Sequence, residues 1–218
     1  MSYSPFGFLP IHDLKMRLIG ITGGIASGKS LVVRSLARRG AVTFSADEAA
    51  RAILTPQGRV LDAIVEAFGT DILLPNKALD RGLLAKQIFQ TPQLRHKLDS
   101  ITHPPILYLL STQIESARYE LSPQTTVCVE MPLLYEVGLE HWFETILVVY
   151  ATPEEQIARL SQRSKITPEE AKRRLSAQMP LEEKRRRADI VIENHGTLSE
   201  LEKQLQRLWN QLQSQKER

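Results

Sequence analysis

The residues most able to do chemistry lie near the start of the 218-residue chain, in Gly23-Gly-Ile-Ala-Ser-Gly-Lys-Ser30. A glycine, four residues and then Gly-Lys-Ser is the pattern of a phosphate-binding loop. Its glycines let backbone N–H groups curl around an anion, and a helix that begins there adds a favourable dipole. In such a loop Lys29 reaches the β- and γ-phosphates and the Ser30 hydroxyl ligates Mg²⁺. A chance glycine turn before a helix is the alternative, and the flanking elements argue against it.

Two carboxylates follow predicted strands. Asp47 comes after the segment 41–44 and should lie at the carboxyl edge of a parallel sheet, where ligands of open α/β folds bind. A carboxylate there can accept the proton of an acceptor hydroxyl, but Asp47 could instead cap a helix over 48–54. Glu130 ends a later apolar run and could hold Mg²⁺, directly or through water, or be a solvated charge at a strand end. The residues alone leave both alternatives open.

Basic side chains are concentrated between Arg159 and Arg187, where ten Lys or Arg residues stand against four Glu residues. Such a stretch can bind a polyanion such as a triphosphate. It is equally compatible with the solvated faces of charged helices. The net charge of the whole chain is only +3, which says little about nucleic-acid or membrane partners.

Other reactive residues have no supporting pattern. Cys128 is the only cysteine, so no disulfide can form within the chain, and its apolar neighbours predict a buried, inert thiol. His103 stands beside two prolines, which is typical of a turn. Neither zinc-ligand spacing nor a Ser-His-Asp grouping is indicated. The sequence has no long apolar run that predicts a spanning helix and no signal-peptide pattern, which favours a cytoplasmic protein.

The elements around these residues predict an α/β fold. A strand over 17–22 leads into the glycine-rich loop, a helix over 28–39 follows, and a second strand over 41–44 comes after Gly40. Strand, loop, helix and strand form a βαβ unit, so we expect a P-loop-type, doubly wound parallel sheet of about five strands. Later strands are predicted over 127–131, 145–150 and 189–193, and later helices over 153–163, 168–178 and 198–213.

The stretch between Phe44 and Val127 is far longer than one crossover helix requires, which predicts an insertion. Its pattern is helical over 49–54, 60–68, 83–89 and 94–101, with turns at 55–56, 75–76 and 103–105. By analogy with phosphotransferases of this architecture, such an insertion would seat the acceptor substrate.

Several segments in a fixed order go beyond a general phosphate loop. They are Thr22-Gly-Gly-Ile-Ala-Ser-Gly-Lys-Ser30, Ser45-Ala-Asp47 with Arg51, Asp80-Arg81, Phe89, Leu98, His103-Pro104, Pro132-Leu-Leu-Tyr-Glu136, Arg159, Arg163, Arg174, Gln178, Lys184, Ala188-Asp189, Asn194 and Gly196. In this order they resemble the dephospho-coenzyme A kinase family, and the resemblance covers the chain from Arg17 to about Leu208. The loop alone is shared by many unrelated ATPases, whereas the ordered set is specific.

The resemblance implies an enzyme that uses ATP and Mg²⁺ to phosphorylate the ribose 3′-hydroxyl of dephospho-coenzyme A, giving coenzyme A and ADP. It also implies a nucleotide-binding core over 16–46, 121–158 and 188–218, a helical substrate-binding insertion over 47–120, and a mobile lid over 159–187. We expect no nucleic acid, membrane or obligate protein as a partner.

The resemblance further implies roles for individual residues. Catalysis is expected of Lys29, Asp47, Arg159 and Arg163, with the two arginines closing on the phosphates. Nucleotide contacts are expected of Gly23, Gly24, Ile25, Ala26, Ser27, Gly28, Lys29, Ser30, Leu31, Asn194 and Gly196. Substrate contacts are expected of Asp47, Arg51, Arg81, His103, Pro132 and Leu133. Ser30 and Glu130 are expected to hold Mg²⁺.

Three features depart from the family pattern. Ser45 replaces the first Asp of an Asp-Ala-Asp segment, which leaves Asp47 to be the base. Ala26 replaces a loop glycine and needs a backbone angle that alanine can adopt. The residues before Arg17 have no counterpart and no role that we can assign. The rival interpretations are a kinase for nucleosides or nucleotides, against which the insertion argues, and a nucleotide-dependent switch, which only the shared loop supports.

Overall fold

The computed structural model describes residues 16–89 and 91–214. The segment 1–15, to which the sequence assigns no role, and the end of the predicted core after residue 214 lie outside the described residues. Within the described part, five parallel strands form one sheet in the order β2-β3-β1-β4-β5. They are β1 (Arg17–Gly23), β2 (Val42–Ser45), β3 (Thr126–Glu130), β4 (Thr145–Tyr150) and β5 (Ile190–Glu193). The predicted α/β class and sheet are confirmed.

Helices connect and flank these strands. They are α1 (Lys29–Arg38), α2 (Ala46–Ala52), α3 (Arg59–Phe68), α4 (Arg81–Phe89), α5 (Pro92–Glu120), α6 (Pro153–Ser164), α7 (Pro168–Ser176), α8 (Leu181–Arg187) and α9 (Leu198–Ser214). Short 3₁₀ turns cover Thr70–Ile72 and Glu140–Trp142. None of the helices in the described ranges combines the length and the apolar character that crossing a membrane demands.

β1 occupies the middle of the sheet because it is apolar and can be buried on both faces. On one side Ile21 pairs with Glu130 of β3, and on the other Gly23 pairs with Val149 of β4. The carboxyl ends of these three strands therefore lie side by side. α1 and α9 join the sheet in one buried apolar cluster, which includes Ile19, Val32, Leu36, Cys128, Leu147, Leu201 and Leu205.

The described residues divide into two compact units, one made of 16–44 with 120–214 and the other lying within Ser45–Tyr119. The first unit contains most of the sheet. The second is helical and has its own small core around Ile64, Ile72 and Leu84. An isolated bridge between Leu73 and Leu79 closes the turn that precedes α4.

The predicted turn at His103-Pro104-Pro105 is wrong, because these residues lie inside α5. Proline removes one backbone donor from a helix, but its fixed φ angle is itself helical, so flanking helical turns can carry the chain through. Here the Thr102 hydroxyl also donates to the Leu98 carbonyl, one turn earlier, at 2.9 Å. The local signal for a break was therefore overridden within a 29-residue helix.

α8 was not predicted from the sequence. Its residues Leu-Glu-Glu-Lys-Arg-Arg-Arg offer only one apolar side chain, so no amphipathic period is visible. Leu181 and Lys184 are nevertheless its buried residues. A lysine is thus buried at a position where a helical pattern would predict an apolar residue.

Candidate active site

The phosphate loop joins β1 to α1 at the carboxyl edge of the sheet, as the spacing predicts. Gly28 caps α1 at φ +99°, and a side-chain carbon there would lie 2.1 Å from the Asn194 amide nitrogen. At Gly23, with φ +152°, such a carbon would lie 2.5 Å from the Val149 carbonyl oxygen. Both positions therefore demand glycine, and the backbone N–H groups at the start of α1 are left to face an anion.

Lys29 folds back over this loop. Its ammonium donates to the carbonyl oxygens of Gly24 at 2.8 Å and Gly23 at 3.2 Å. The charge therefore lies at the loop itself, where the phosphates of a nucleotide would bring their oxygens. Its expected contact with the transferring phosphate stays a prediction.

Ser30 and Glu130 meet at the same edge. The Ser30 hydroxyl donates to Glu130 Oε1 at 3.0 Å, because β3 ends beside β1 where α1 begins. Among the described residues, no group of three or more His, Cys, Asp or Glu side chains could hold a metal ion. A cation here would take one hydroxyl and one carboxylate from the protein and its other ligands from phosphate and water, which is the set that Mg²⁺ prefers. The residues thus fit the expected ion.

Asn194 fastens the far side of the loop. Its amide donates to the Ser27 carbonyl oxygen at 2.7 Å, and its side chain is buried. The main-chain carbonyl oxygen of Asn194 accepts from Arg159 Nη2 at 2.7 Å. Arg159 Nη2 also lies 3.3 Å from Glu155 Oε1. Arg159 is therefore held against the segment after β5. Arg163 lies one turn further along α6 and is exposed.

The segment after β3 is tied to α8 by a buried lysine. The Pro132 carbonyl oxygen accepts from Lys184 Nζ at 2.8 Å and from the Thr22 hydroxyl at 3.1 Å. Lys184 is fully buried and also pairs with Glu136 at 2.8 Å. Burial lowers the pKa of Lys184 from its usual value, and hydrogen bonding to Glu136 opposes that shift. The Pro132–Glu136 segment, in which Leu133 lies, is thereby fixed to the first unit.

The basic stretch from Arg159 to Arg187 is neutralised more fully than its composition suggests. The acidic partners include residues outside the stretch, and the pairs are Arg159 with Glu155, Arg173 and Arg174 with Glu170, Lys184 with Glu136, Arg185 with Glu193, and Arg187 with Glu140. Most of the basic side chains of this stretch therefore form ion pairs. Arg163, Lys165, Lys172 and Arg186 are the exposed cations of this stretch that no ion pair within the described ranges engages.

The candidate residues of the helical unit lie on three different helices. Asp47 is in the first turn of α2, and Arg51 is in its last turn. Arg81 begins α4 and is exposed, and His103 lies on α5, 3.6 Å from Asp99. Their expected contacts with a substrate stay predictions.

The alternative that Asp47 caps its helix is wrong. Ser45 is the N-cap of α2, and its hydroxyl accepts from the Glu48 N–H at 3.4 Å. Asp47 is the second residue of the helix, where its charge suits the dipole without making the cap bond. Ser45, which replaces the first aspartate of the family pattern, therefore has a structural role as the helix cap.

Sequence reasoning missed Gln156, whose buried side chain on α6 donates to the Ile25 carbonyl oxygen at 2.6 Å. Gln178, noted only as a family match, accepts from the Ile25 N–H at 3.0 Å. No sequence motif predicts a buried glutamine on a charged helix. The glycine at position 24 is the one related feature of the sequence, because a side-chain carbon there would lie 2.2 Å from the Gln156 amide nitrogen.

The single cysteine behaves as predicted. Cys128 is fully buried in the middle of β3. Burial raises the pKa of its thiol to about 12. A thiol held protonated in this way is neither a nucleophile nor a metal ligand at neutral pH.

Comparison with known proteins identifies the family. The family model described as dephospho-CoA kinase matches residues 17–200. A dephospho-CoA kinase from Geobacter metallireducens is 45% identical over 196 residues, which are 90% of this chain and 96% of that protein.

Solved structures agree. The crystal structure of TT1252 from Thermus thermophilus matches with a TM-score of 0.76 and 34% identity, covering 90% of this chain and 97% of that one. A dephospho-CoA kinase from Campylobacter jejuni matches with a TM-score of 0.69 and 27% identity, covering 91% and 98%. The resemblance to the dephospho-coenzyme A kinase family is confirmed. With its phosphate loop intact and the family match extending over most of its length, the chain belongs to the dephospho-CoA kinase family.

Proposed function

We propose that this protein transfers the γ-phosphoryl group of ATP to the ribose 3′-hydroxyl of dephospho-coenzyme A, giving coenzyme A and ADP. The observation that carries the proposal is the arrangement of the phosphate loop in a chain of this family. The Lys29 ammonium is hydrogen-bonded to the backbone of the loop, and the Ser30–Glu130 pair lies beside it. Family membership implies the use of ATP.

On the donor side, the chain's own residues would bind and orient the triphosphate. The backbone N–H groups from Gly28 to Leu31 would face the β-phosphate, and Lys29 would place a charge against the phosphoryl group as it transfers. Ser30 and Glu130 would hold Mg²⁺, which when bound neutralises charge on the β- and γ-phosphate oxygens. These groups stabilise charge that grows in the transition state.

Arg159 and Asn194 would hold the nucleotide from the side of β5. One nitrogen of the Arg159 guanidinium, Nη1, is buried without a hydrogen-bond partner among the described residues. A buried donor of this kind is costly unless a ligand satisfies it, which supports a direct contact with the nucleotide. The neighbouring Gly196 would let the nucleotide approach the backbone closely. Arg163, exposed on the same helix, would reach the phosphates when a lid over 159–187 closes.

On the acceptor side, Asp47 would accept the proton of the 3′-hydroxyl. Asp47 lies two residues after the end of β2, and Ser45 makes the helix cap in its place. Both observations support this assignment. Arg51, Arg81 and His103 of the insertion, together with Pro132 and Leu133, would bind the rest of dephospho-coenzyme A. A cytoplasmic location and independence from nucleic acid, membrane and obligate protein partners stay predictions.

An acceptor panel tests the proposal. Purified protein is incubated with ATP and Mg²⁺ and with dephospho-coenzyme A, adenosine, AMP or no acceptor, and ADP formation is followed. We expect turnover with dephospho-coenzyme A alone, and phosphorus NMR of the product should show the new phosphate on the 3′ position.

Faster ADP formation with adenosine or AMP would identify the rival nucleoside or nucleotide kinase. Slow hydrolysis that no acceptor accelerates would instead favour a nucleotide-dependent switch. Either result would overturn the substrate assignment.

A further inference from the structure

The peptide groups of Ile25, at the tip of the phosphate loop, are held by two glutamine side chains. The Ile25 N–H donates to Gln178 Oε1 at 3.0 Å, and the Ile25 carbonyl oxygen accepts from Gln156 Nε2 at 2.6 Å. We call Gln156 and Gln178 the glutamine clasp. Both bonds run from side chains distant in sequence to the backbone of one residue, so the clasp acts on the conformation of the loop and not on a side chain.

The two glutamines differ in how firmly they are held. Gln156 is 3% exposed, and the absence of a side chain at Gly24 makes room for its amide. Gln178 is half-buried in the connection between α7 and α8, within the proposed lid. A cavity of about 440 Å³ adjoins both residues and is also lined by Met179 and Leu181. Gln178, which is half-buried in a connecting segment, is therefore freer to leave Ile25 than Gln156, which is buried on α6.

The residue that follows Ile25 is strained. Ala26 adopts φ +57°, the left-handed region that favours glycine. A non-glycine residue keeps such a conformation only when its surroundings impose it. Those surroundings are visible on both sides, because the clasp holds Ile25 and Asn194 holds the Ser27 carbonyl oxygen at 2.7 Å.

We propose that Gln156 and Gln178 are positioning residues that impose the left-handed conformation of Ala26 and so keep the phosphate loop ready for the nucleotide. Because Gln178 belongs to the proposed lid, its bond to Ile25 also couples the position of the lid to the shape of the loop. The proposal rests on the proposed function only in taking a nucleoside triphosphate as the phosphoryl donor.

A double-mutant cycle between Gln178 and Ala26 tests this coupling. Gln178→Met keeps the length and the contacts of the side chain but removes the acceptor of the Ile25 N–H. Ala26→Gly makes the left-handed conformation accessible without help. If the clasp compensates for strain at Ala26, the glycine should suppress the effect of the methionine. If the two positions act independently, the effect of Gln178→Met on nucleotide binding should be the same with alanine or glycine at position 26.

The readouts are the dissociation constant of a fluorescent ADP analogue, measured without acceptor, and the KM for ATP in turnover. Gln178→Met should weaken nucleotide binding about threefold to tenfold, as expected for one lost hydrogen bond. The double variant should recover most of that loss. Gln206→Met, which removes a surface amide bonded to Asn210 on α9, should leave both constants unchanged.

Equal losses in Gln178→Met with alanine or glycine at position 26 would overturn the proposal, as would a lower thermal stability with unchanged nucleotide binding. Since Gln156 is buried, Gln156→Met is judged on nucleotide binding only after its fold has been checked by circular dichroism. Should dephospho-coenzyme A prove the wrong acceptor, wild-type turnover on it would be absent while the binding cycle would still give its own result. The two failures are thus distinguishable.

Discussion

Ser30 Oγ and Glu130 Oε1 are 3.0 Å apart although one hundred residues separate them in the chain. The parallel register that pairs Ile21 with Glu130 brings the end of β3 next to the loop after β1. A hydroxyl and a carboxylate thus share one site at the sheet edge, which neither element creates alone.

Glu130→Gln should raise the Mg²⁺ concentration that gives half-maximal turnover by about tenfold or more, because an amide is a far weaker ligand than a carboxylate. Stability should hold, since the glutamine oxygen can still accept from Ser30. A magnesium titration of turnover is the measurement, with Glu66→Gln on the exposed face of α3 as the control. An unchanged magnesium dependence would exclude Glu130 from the metal site.

Lys29→Met should fold and lose phosphoryl transfer. Removing a charge placed against the transferring group costs about 3 kcal/mol or more of transition-state stabilisation, which is a loss of at least about 100-fold in kcat/KM. The matched control is Lys203→Met, an exposed lysine on α9. Wild-type turnover by the folded Lys29 variant would refute the role of the loop.

Asp47→Asn and Ser45→Ala should affect different properties of the protein, the first its turnover and the second its stability. With Ser45 as the cap, its alanine variant should lower the free energy of unfolding by about 1 kcal/mol and leave kcat nearly unchanged. Asp47→Asn should keep stability while kcat falls roughly 10²-fold, because asparagine cannot take a proton. Urea unfolding and steady-state kinetics on dephospho-coenzyme A separate the two. An Asp47→Asn protein with normal kcat rules out the base.

Lys184→Met should lower the free energy of unfolding by about 3 kcal/mol, because Glu136 and the Pro132 carbonyl oxygen would lose a fully buried partner. Removing Arg173, which forms an exposed pair with Glu170, should change stability by no more than about 0.5 kcal/mol. Denaturant unfolding compares the two directly. Equal small losses would mean that the buried lysine does not anchor α8.

Cys128 should resist thiol reagents in the folded protein at pH 8 and react once the chain is unfolded, since burial raises its pKa to about 12. A raised folded pKa also means that this group's contribution to stability is complete below its ordinary value of 9.0 and is lost as pH rises towards 12. Reaction with a chromogenic disulfide, with and without denaturant, checks the first point. Rapid labelling of the native protein would contradict it.

The phosphate loop could be found from sequence because its determinants are contiguous. Glycines between Gly23 and Gly28 set the backbone, and the strand and helix on either side follow from local apolar patterns. Dependence on local patterns also explains the wrong prediction of a turn at Pro104 and Pro105. Two prolines locally predict a helix end, but here they lie inside a helix that continues on both sides of them.

Sequence by itself determined the family, the position of the loop and the order of the five strands, because each depends on residue types at short or ordered spacing. It also predicted most of the helices, with α8 missed and α5 wrongly broken at Pro104. Only the tertiary structure decided which partners those residues meet. It joined Ser30 to Glu130, gave the cap of α2 to Ser45 and not to Asp47, and buried Lys184. The physical reason is that hydrogen bonds and ion pairs between distant segments depend on sheet register and helix packing, which no local pattern encodes.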